Sequence, residues 1–342
     1  MLKGMLDHFF KSPSIDWIQV EVTSRCNAAC FYCPRTAYRD GWLNRDLSVE
    51  DFQRLAPIFG RTGMIFLQGW GEPFLNPHMM TMVRMAKEAG CTVGTTTNGM
   101  LLNEEMIGRL VASGVDLVAF SLAGVHERND THRRGTNGDT IAAAIRLLDE
   151  TKRKAGTELP AVHIAYVLLR SGLDDLKRLP LFLRGLPVSQ VILSTLDFVP
   201  CEELKDETIL PATGDEYEQL RSRLDALKVQ VEAEGVELHY RLHRPGKPNS
   251  ACTENIQRSF FVSSDGSVSP CVFTNLPLAA DAHIFRDGER PCRRLTFGNI
   301  RDTDIRDIWQ GQASGEFRKT FRERQVPEVC TGCPKLFVGE DR

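Results

Sequence analysis

The sequence lacks an apolar run long enough to cross a bilayer, and it has no marked excess of charge of either sign. Its 342 residues include 42 basic and 45 acidic side chains, giving a formal net charge of -3. Nothing therefore indicates the broad basic surface that nucleic-acid binding requires. The N-terminal segment MLKGMLDHFFKSPS lacks the uninterrupted apolar stretch of a secretory signal. These absences favour a cytoplasmic protein whose partners are neither nucleic acids nor membranes.

The same N-terminal segment has apolar residues at helical spacing. This pattern predicts a short amphipathic helix that packs on the fold, rather than a membrane anchor. The residues concerned are Leu2, Met5, Leu6, Phe9 and Phe10.

Cysteine is abundant, with ten residues in a chain that shows no export signal. Disulfides are rare in the reducing cytosol, so clustered thiols there indicate metal binding or redox chemistry. The alternative is that all ten are buried or incidental thiols. The spacing of the cysteines distinguishes this alternative from a metal or redox site. Three of them, Cys26, Cys30 and Cys33, lie within eight residues of one another.

Strand-like and helix-like patterns alternate from residue 14 to about residue 235. Strands are predicted at Asp16–Val22, Met64–Gln68, Cys91–Thr97, Val115–Leu122, Ala161–Leu169 and Ser189–Leu196. Helices are predicted at Ser48–Phe59, Pro77–Ala89, Asn103–Ser113, Asp139–Lys154, Asp174–Leu183 and Asp215–Glu234. Six βα units imply a parallel sheet, either an open doubly wound sheet or a partial (β/α)6 barrel of the TIM type. In both architectures the functional groups gather at the C-terminal ends of the strands.

The alternation ends near residue 235, and residues 241–250 are basic and rich in proline and glycine, as a connector would be. A hairpin is then predicted from Ser259–Val262 and Ser267–Pro270, around the turn Asp265-Gly266. Helices follow near Ile305–Gln310 and Ser314–Arg322. The prediction is a barrel domain over residues 1–235 and a small α+β domain over residues 236–342.

The first cysteine cluster follows the first predicted strand, which ends at Val22. Three thiolates in one loop can converge on a single soft metal centre. A zinc site would need four ligands, whereas this run supplies three. A cubane cluster held by three cysteines leaves one iron open to a small molecule.

With an aromatic residue, Tyr32, before its last cysteine, this CxxxCxxC run resembles the signature of the radical S-adenosylmethionine (SAM) superfamily. The resemblance implies that Cys26, Cys30 and Cys33 hold a [4Fe-4S] cluster whose open iron binds SAM. It also implies reductive cleavage of SAM to a 5′-deoxyadenosyl radical, which takes a hydrogen atom from a substrate.

Further motifs end the next three strands and strengthen the resemblance. Gly69-Trp70-Gly71-Glu72-Pro73 is similar to the GGEP motif of the family, with Trp70 as a departure, and Asn98-Gly99 is similar to its TNG turn. The fourth strand ends in Ser121-Leu122-Ala123, where relatives show an aspartate in place of Ala123. The resemblance implies SAM contacts by Tyr32, Gly71, Glu72, Asn98, Ser121 and Arg134, with Arg134 pairing with the SAM carboxylate.

Each motif also has a simpler interpretation. Glu72-Pro73 alone is a turn, Asn98-Gly99 alone is a common left-handed turn, and Arg134 alone is a solvated surface charge. Their joint placement at the ends of four consecutive predicted strands favours one shared site.

The C-terminal cysteines resemble the SPASM/twitch extension of the same superfamily. The resemblance implies an auxiliary [4Fe-4S] cluster, held by Cys252, Cys271, Cys330 and Cys333. Four protein ligands leave no open iron, which favours electron transfer over substrate binding. The alternative is a structural zinc site on the same four thiolates. Three further cysteines are interpreted as bystanders or packing residues: Cys91, Cys201 and Cys292.

The two clusters together predict hydrogen abstraction followed by oxidation or by bond formation on a peptide or a small molecule. An external one-electron donor, such as a flavodoxin or a ferredoxin, would supply the electron. Two competing hypotheses are a non-catalytic two-cluster electron carrier and a zinc-stabilised binding protein. The catalytic acid or base stays unassigned among Asp197, His163 and Tyr166, because strand alternation allows either face.

Overall fold

A ten-stranded sheet forms the centre of the computed structural model, which describes residues 14–246, 251–280, 282–285 and 289–336. The predicted N-terminal helix lies outside the described residues. The strands of the sheet are β1 (Ile15–Val20), β2 (Thr62–Leu67), β3 (Thr92–Thr97), β4 (Leu117–Leu122), β5 (Ala161–Leu168), β6 (Gln190–Thr195), β7 (Glu237–Tyr240), β8 (Ser259–Val262), β9 (Ser267–Ser269) and β10 (Gly298–Asn299). Two small ladders pair Ala29–Cys30 with Arg133–Arg134 and His283–Phe285 with Glu289–Pro291.

Eleven α-helices are found in the described part of the chain: α1 (Pro34–Ala37), α2 (Val49–Gln53), α3 (Ala56–Phe59), α4 (Met79–Glu88), α5 (Glu104–Ala112), α6 (Glu127–His132), α7 (Gly138–Ala155), α8 (Leu179–Leu183), α9 (Gly214–Glu232), α10 (Ile305–Gln310) and α11 (Gln312–Arg322). Short 3-10 turns lie at Arg39–Gly41, Pro73–Leu75, Arg170–Arg178, Glu202–Glu207, Val272–Thr274, Glu328–Cys330 and Pro334–Leu336. None of these described helices is long and apolar enough to span a membrane.

The helices begin where the sequence provides caps. Ser48, Asn103 and Asn137 each accept a hydrogen bond from the backbone N–H three residues later, which satisfies an otherwise unpaired helix donor. Two predicted helices are divided in the structure. The region Ser48–Phe59 forms α2 and α3, and the region Asp174–Leu183 forms a 3-10 turn followed by α8, because a proline occupies the first turn of α3 and of α8.

The strand order distinguishes the two architectures that the sequence left open. Strands β1 to β6 lie side by side in chain order, and each is parallel to the next. A doubly wound sheet would reverse its strand order at a switch point, whereas this order is that of a partial (β/α)6 barrel. In β5 the side chains of Val162, Ile164 and Tyr166 are buried in the main core, and those of His163 and Ala165 point to the opposite face.

The C-terminal region extends this sheet at both edges. The predicted hairpin is confirmed as β8 and β9, and β8 pairs in parallel with β1. Strand β7 was not predicted from the sequence. It pairs with β6 at the opposite edge of the sheet. The proposed domain boundary at residues 235/236 therefore falls directly before a strand of the main sheet.

A fully buried carboxylate joins the barrel to this hairpin. Glu21 accepts hydrogen bonds from the backbone N–H of Trp70 at 3.0 Å, from the N–H and Oγ of Ser264 at 3.1 and 2.8 Å, and from Ser263 Oγ at 3.2 Å. Burial raises the pKa of Glu21 above its ordinary value, although these donors lower it in part. One side chain thus fixes the end of β1 against the ends of β2 and β8.

Replacing Asp265 by asparagine is expected to destabilise the protein by about 3 kcal/mol, because Arg294 would lose its paired partner. The two side chains form a bidentate ion pair with distances of 2.7 and 3.1 Å. Burial alone would raise the pKa of Asp265, but Arg294 and Ser267 hold it well below its usual range. The contribution is therefore complete above the ordinary aspartate pKa of about 3.9 and is lost only as the pH falls below it. Urea unfolding under argon should give the same difference from wild type at pH 6, 7 and 8.

Asp40→Asn is the control for this experiment, since that side chain is 96% exposed and should change the unfolding free energy by less than about 0.5 kcal/mol. An Asp265→Asn variant as stable as wild type would contradict the prediction.

Candidate active site

A cavity of about 500 Å³ lies at the C-terminal ends of the barrel strands. Cys26, Cys30 and Cys33 line it together with Gly71, Glu72, Asn98 and Ser121. The floor includes side chains from the inner face of the sheet, among them His163 and Ala165. The parallel strands thus bring the separate motifs into one space, as the strand-end argument requires.

The loop after β1 carries the three thiols. Cys30 belongs to the ladder with Arg133–Arg134, and Cys33 is the N-cap residue of α1. Burial, together with the neighbouring Cys30 and Cys26 thiols, raises the pKa of Cys33 to about 12, and burial also raises the pKa of Cys26. A cationic iron centre would favour the thiolate form at both residues, since metal ligation requires the thiolate.

The end of β2 packs directly on this loop. The Glu72 N–H donates to the Arg25 carbonyl at 2.8 Å. At Gly71 there is no space for a side chain, because a Cβ atom would lie 2.3 Å from the carbonyl oxygen of Thr23 and 2.5 Å from that of Arg25. The predicted importance of Gly71 therefore has a steric cause: only glycine allows this approach of two backbones.

Glu72 is almost completely buried and joins the ends of β2 and β3. Its carboxylate accepts hydrogen bonds from Thr97 Oγ1 at 2.8 Å and from the Asn98 N–H at 2.7 Å. Burial raises the pKa of Glu72 to about 7, against the lowering effect of these donors. Oε1 also accepts from the Phe74 N–H at 3.4 Å, so Oε2, which accepts one hydrogen bond, is the oxygen that can still accept from an ammonium.

Asn98 and Tyr32, which were expected from the sequence to contact SAM, also line this cavity. The Asn98 amide donates to Asn27 Oδ1 at 2.7 Å and lies 3.9 Å from Cys26 Sγ. Tyr32 Oη accepts from Arg133 Nη1 at 2.7 Å.

The arginine that lines the cavity is Arg133, whereas the structure places Arg134, the residue expected from the sequence to pair with the SAM carboxylate, outside the lining. Arg133 is buried, and its Nε has no hydrogen-bond partner among the described residues. Arg134 is exposed and absent from the lining. The two residues form a short strand, in which successive side chains point to opposite faces. The sequence carries no signal that fixes which of two adjacent arginines points inward.

The C-terminal thiols Cys252, Cys271, Cys330 and Cys333 line a second, smaller cavity. Burial, together with the neighbouring charges of Glu254 and the other thiols, raises the pKa of Cys252 and of Cys271 to about 12. Within the described ranges, no three His, Cys, Asp or Glu side chains come close enough to hold a single metal ion.

The other cysteines lie apart from this second cavity. Cys292 packs near Trp42 and Leu278, Cys201 packs beside the first thiol loop, and Cys91 is buried in the main core.

The wall between the two cavities is made of residues that sequence reasoning missed. Phe273 lines both cavities. Lys335 forms ion pairs with Asp197 at 2.7 Å and with Glu254 at 3.3 Å. Burial alone would lower the pKa of Lys335, but the two carboxylates raise it above its usual range. These contacts join distant parts of the chain, and no local spacing could have revealed them.

Of the three candidates for a catalytic acid or base, Asp197 and His163 line the active-site cavity. Tyr166 faces the main core instead, with only 1% of its surface exposed.

The family model described as the radical SAM superfamily matches residues 20–179, and the SPASM model, described as an iron–sulfur cluster-binding domain, matches residues 252–334. The chain belongs to the radical SAM superfamily. Residues 20–179 contain the three cysteines that line the first cavity, and residues 252–334 contain the four that line the second.

Several characterised radical SAM enzymes are similar to this one over most of its length. A tungsten-containing aldehyde ferredoxin oxidoreductase cofactor-modifying protein of Pyrococcus furiosus is 27% identical over 327 residues, covering 93% of this chain and 86% of that protein. A PqqA peptide cyclase of Granulibacter bethesdensis is 24% identical, covering 92% and 78%. An AdoMet-dependent heme synthase of Methanosarcina barkeri is also 24% identical, covering 92% and 89%.

Solved structures share the fold. SuiB of Streptococcus suis bound to S-adenosylmethionine matches with a TM-score of 0.65 at 14% identity, covering 99% of this chain and 75% of SuiB. Native anSMEcpe with bound AdoMet matches with a TM-score of 0.65 at 17% identity, covering 94% and 87%. At these identities the likeness establishes the architecture, a partial barrel with a C-terminal iron–sulfur domain.

This radical SAM enzyme therefore uses SAM and a [4Fe-4S] cluster, and its SPASM domain binds a further iron–sulfur cluster. The clustered thiols of both cavities fit those groups chemically, as does Arg133 Nε, which has no hydrogen-bond partner among the described residues. The hypotheses of a non-catalytic carrier and of a zinc-stabilised binding protein are set aside.

Proposed function

We propose that this enzyme abstracts a hydrogen atom from a peptide or small molecule that binds in the 500 Å³ cavity. The substrate radical is then oxidised or forms a new covalent bond. A [4Fe-4S] cluster held by Cys26, Cys30 and Cys33 would supply the electron for cleavage of SAM to methionine and the 5′-deoxyadenosyl radical that performs this abstraction. The observation that carries the proposal is that Phe273 lines both the SAM-side cavity and the cavity of the auxiliary thiols.

The proposed ligands divide into two sets. Cys26, Cys30 and Cys33 hold the SAM-binding cluster, and the auxiliary cluster is held by Cys252, Cys271, Cys330 and Cys333. SAM is bound by the groups around the first set: Tyr32, Gly71, Glu72, Asn98, Ser121 and, in place of Arg134, Arg133. The protein's own task at this site is to orient SAM and to exclude water from the radical.

A peptide or a cofactor-like small molecule is the proposed class of substrate. The similar proteins are named as a cofactor-modifying protein, a peptide cyclase and a heme synthase, and SuiB has been solved bound to the precursor peptide SuiA. A flavodoxin or ferredoxin is the proposed electron donor. The proposed location is the cytoplasm, where the ten cysteines would stay reduced.

The test is anaerobic reconstitution followed by reduction with dithionite in the presence of SAM. Release of 5′-deoxyadenosine is the expected result, and it should rise when an extract fraction containing the substrate is added. A fully loaded protein that releases no 5′-deoxyadenosine under any of these conditions would refute the proposal.

Arg133→Gln is expected to weaken SAM binding about tenfold to a hundredfold, the usual effect of losing a hydrogen bond to a charged group. The matched control is Arg134→Gln, because that adjacent side chain is exposed and lies outside the cavity. Equilibrium dialysis with labelled SAM measures both variants, and thermal unfolding checks that the loss of the Tyr32 contact has not unfolded the site. If Arg134→Gln weakens binding and Arg133→Gln does not, the original sequence prediction is the correct one.

A further inference from the structure

A partly buried ion triad lies between the active-site cavity and the auxiliary site. Lys335 Nζ lies 2.7 Å from Asp197 Oδ2 and 3.3 Å from Glu254 Oε1. The three side chains are only 20%, 13% and 21% exposed respectively. Paired charges with so little contact with water keep their geometry and interact strongly with their surroundings.

Asp197, Glu254 and Lys335 line one further cavity of about 630 Å³ together, and each end of the triad also borders one of the two thiol-containing cavities. Asp197 follows β6 and lines the active-site cavity, whereas Glu254 and Lys335 line the cavity of the auxiliary thiols. Both are also close to those thiols in sequence, since Glu254 follows Cys252 by two residues and Lys335 follows Cys333 by two. The Lys335 ammonium lies 5.6 Å from the centre of the Phe273 ring, which forms the wall between the cavities.

The charges of the triad do not cancel. One ammonium faces two carboxylates, so the triad as a whole carries one negative charge beside the auxiliary site. The reduction potential of an iron–sulfur cluster depends on the net charge around it, because reduction adds an electron. A neighbouring cation raises that potential, and a neighbouring anion lowers it.

Asp197 also has unused capacity toward the active-site cavity. Its Oδ1 accepts from Thr195 Oγ1 at 3.0 Å and its Oδ2 faces Lys335, which leaves further acceptor positions on both oxygens. An ammonium, hydroxyl or amide of a bound substrate could donate to it.

We propose that Lys335 is a positioning residue that sets the reduction potential of the auxiliary cluster. Asp197 is the group through which a substrate bound in the active-site cavity changes that potential. A substrate that brings a positive or donor group to Asp197 offsets part of its negative charge and raises the potential. The auxiliary cluster thus becomes the better electron acceptor when the cavity is occupied. This inference rests on the proposed function, because it takes Cys252, Cys271, Cys330 and Cys333 as cluster ligands.

The test is a redox titration of the reconstituted full chain, followed by low-temperature electron paramagnetic resonance. The auxiliary signal is the one that SAM does not perturb, because that cluster has no open iron. At a fixed applied potential, Lys335→Met should lower the ratio of reduced to oxidised auxiliary cluster at least tenfold. For a one-electron centre this corresponds to a decrease of the reduction potential by about 59 mV. Asp197→Asn should raise the same ratio at least threefold. Lys335→Arg keeps the charge and should restore the wild-type value to within twofold.

Opposite shifts in the two variants support the inference, since a merely structural defect would not reverse sign with the charge removed. Equal potentials in wild type, Lys335→Met and Asp197→Asn, or shifts in the same direction, would overturn it. If Lys335→Met does not assemble its cluster, Asp197→Asn decides alone, because that residue is distant in sequence from every proposed ligand. A wild-type chain without any auxiliary iron would instead refute the proposed ligand set, which iron analysis before the titration detects.

Discussion

Replacing Cys26, Cys30 and Cys33 together by alanine is expected to abolish release of 5′-deoxyadenosine and to leave about four of about eight iron atoms per chain. The three thiols lie in one cavity and the four C-terminal thiols in another. Loss of the first set should therefore leave the second cluster intact. Iron and sulfide analysis measures the loading, and chromatography of the quenched reaction measures 5′-deoxyadenosine.

The reciprocal variant replaces Cys252, Cys271, Cys330 and Cys333, and it should also retain about four iron atoms while still releasing 5′-deoxyadenosine without substrate turnover. Cys292→Ser is the control with about eight, because Cys292 packs against Trp42 and Leu278, away from both cavities. A residual iron count near zero after removal of the first three cysteines would mean that the C-terminal site holds no cluster.

Gly71→Ala is expected to have nearly the same effect as removing the first three cysteines, although it deletes no ligand. The added methyl group would lie 2.3 to 2.5 Å from two backbone carbonyl oxygens in the loop that precedes Cys26. Backbone cannot rotate away as a side chain can, so the loop must shift. Overpacking of this kind typically costs about 1–3 kcal/mol, and here the cost falls on the strand-end contact that positions the thiols.

The expected result for Gly71→Ala is loss of about four iron atoms and of most 5′-deoxyadenosine release. Gly108→Ala is the matched control, because that glycine lies within α5 with open space around it. The control should be as active as wild type and more stable by about 0.5–1 kcal/mol, since alanine favours the helix. A Gly71→Ala enzyme with full iron and a normal rate would show that the loop tolerates the displacement.

Local patterns in the sequence were enough to predict most of the barrel. Alternating apolar runs located all six strands of the barrel, and the cysteine spacing located the loop that the cavity surrounds. Gly71 was expected only through the resemblance of Gly69-Trp70-Gly71-Glu72-Pro73 to the GGEP motif, and the close backbone approach at this position is a finding of the structure.

What the sequence could not predict depends on facing direction or on distant contacts. The choice between Arg133 and Arg134 depends on which side of a two-residue strand faces inward. Strand β7 has only four residues and lies directly before the basic connector, so its sequence gives no strand signal. It is recognised only through its pairing with β6. The ion pair of Asp197 with Lys335 joins side chains 138 residues apart in the sequence.

The pairing of β1 with β8 has a consequence for the order in which the chain can be completed during synthesis. Strand β1 gains its first neighbour as soon as β2 has been made, but its second neighbour is translated only about 195 residues later. At bacterial and eukaryotic ribosome speeds this interval lasts roughly 10 to 40 s. Throughout it, the strand that carries the cysteine loop has an unpaired edge that another nascent chain could occupy. Any fragment that stops before residue 259 keeps that edge open permanently, and we expect such fragments to aggregate even though they contain every residue of the SAM-side motifs.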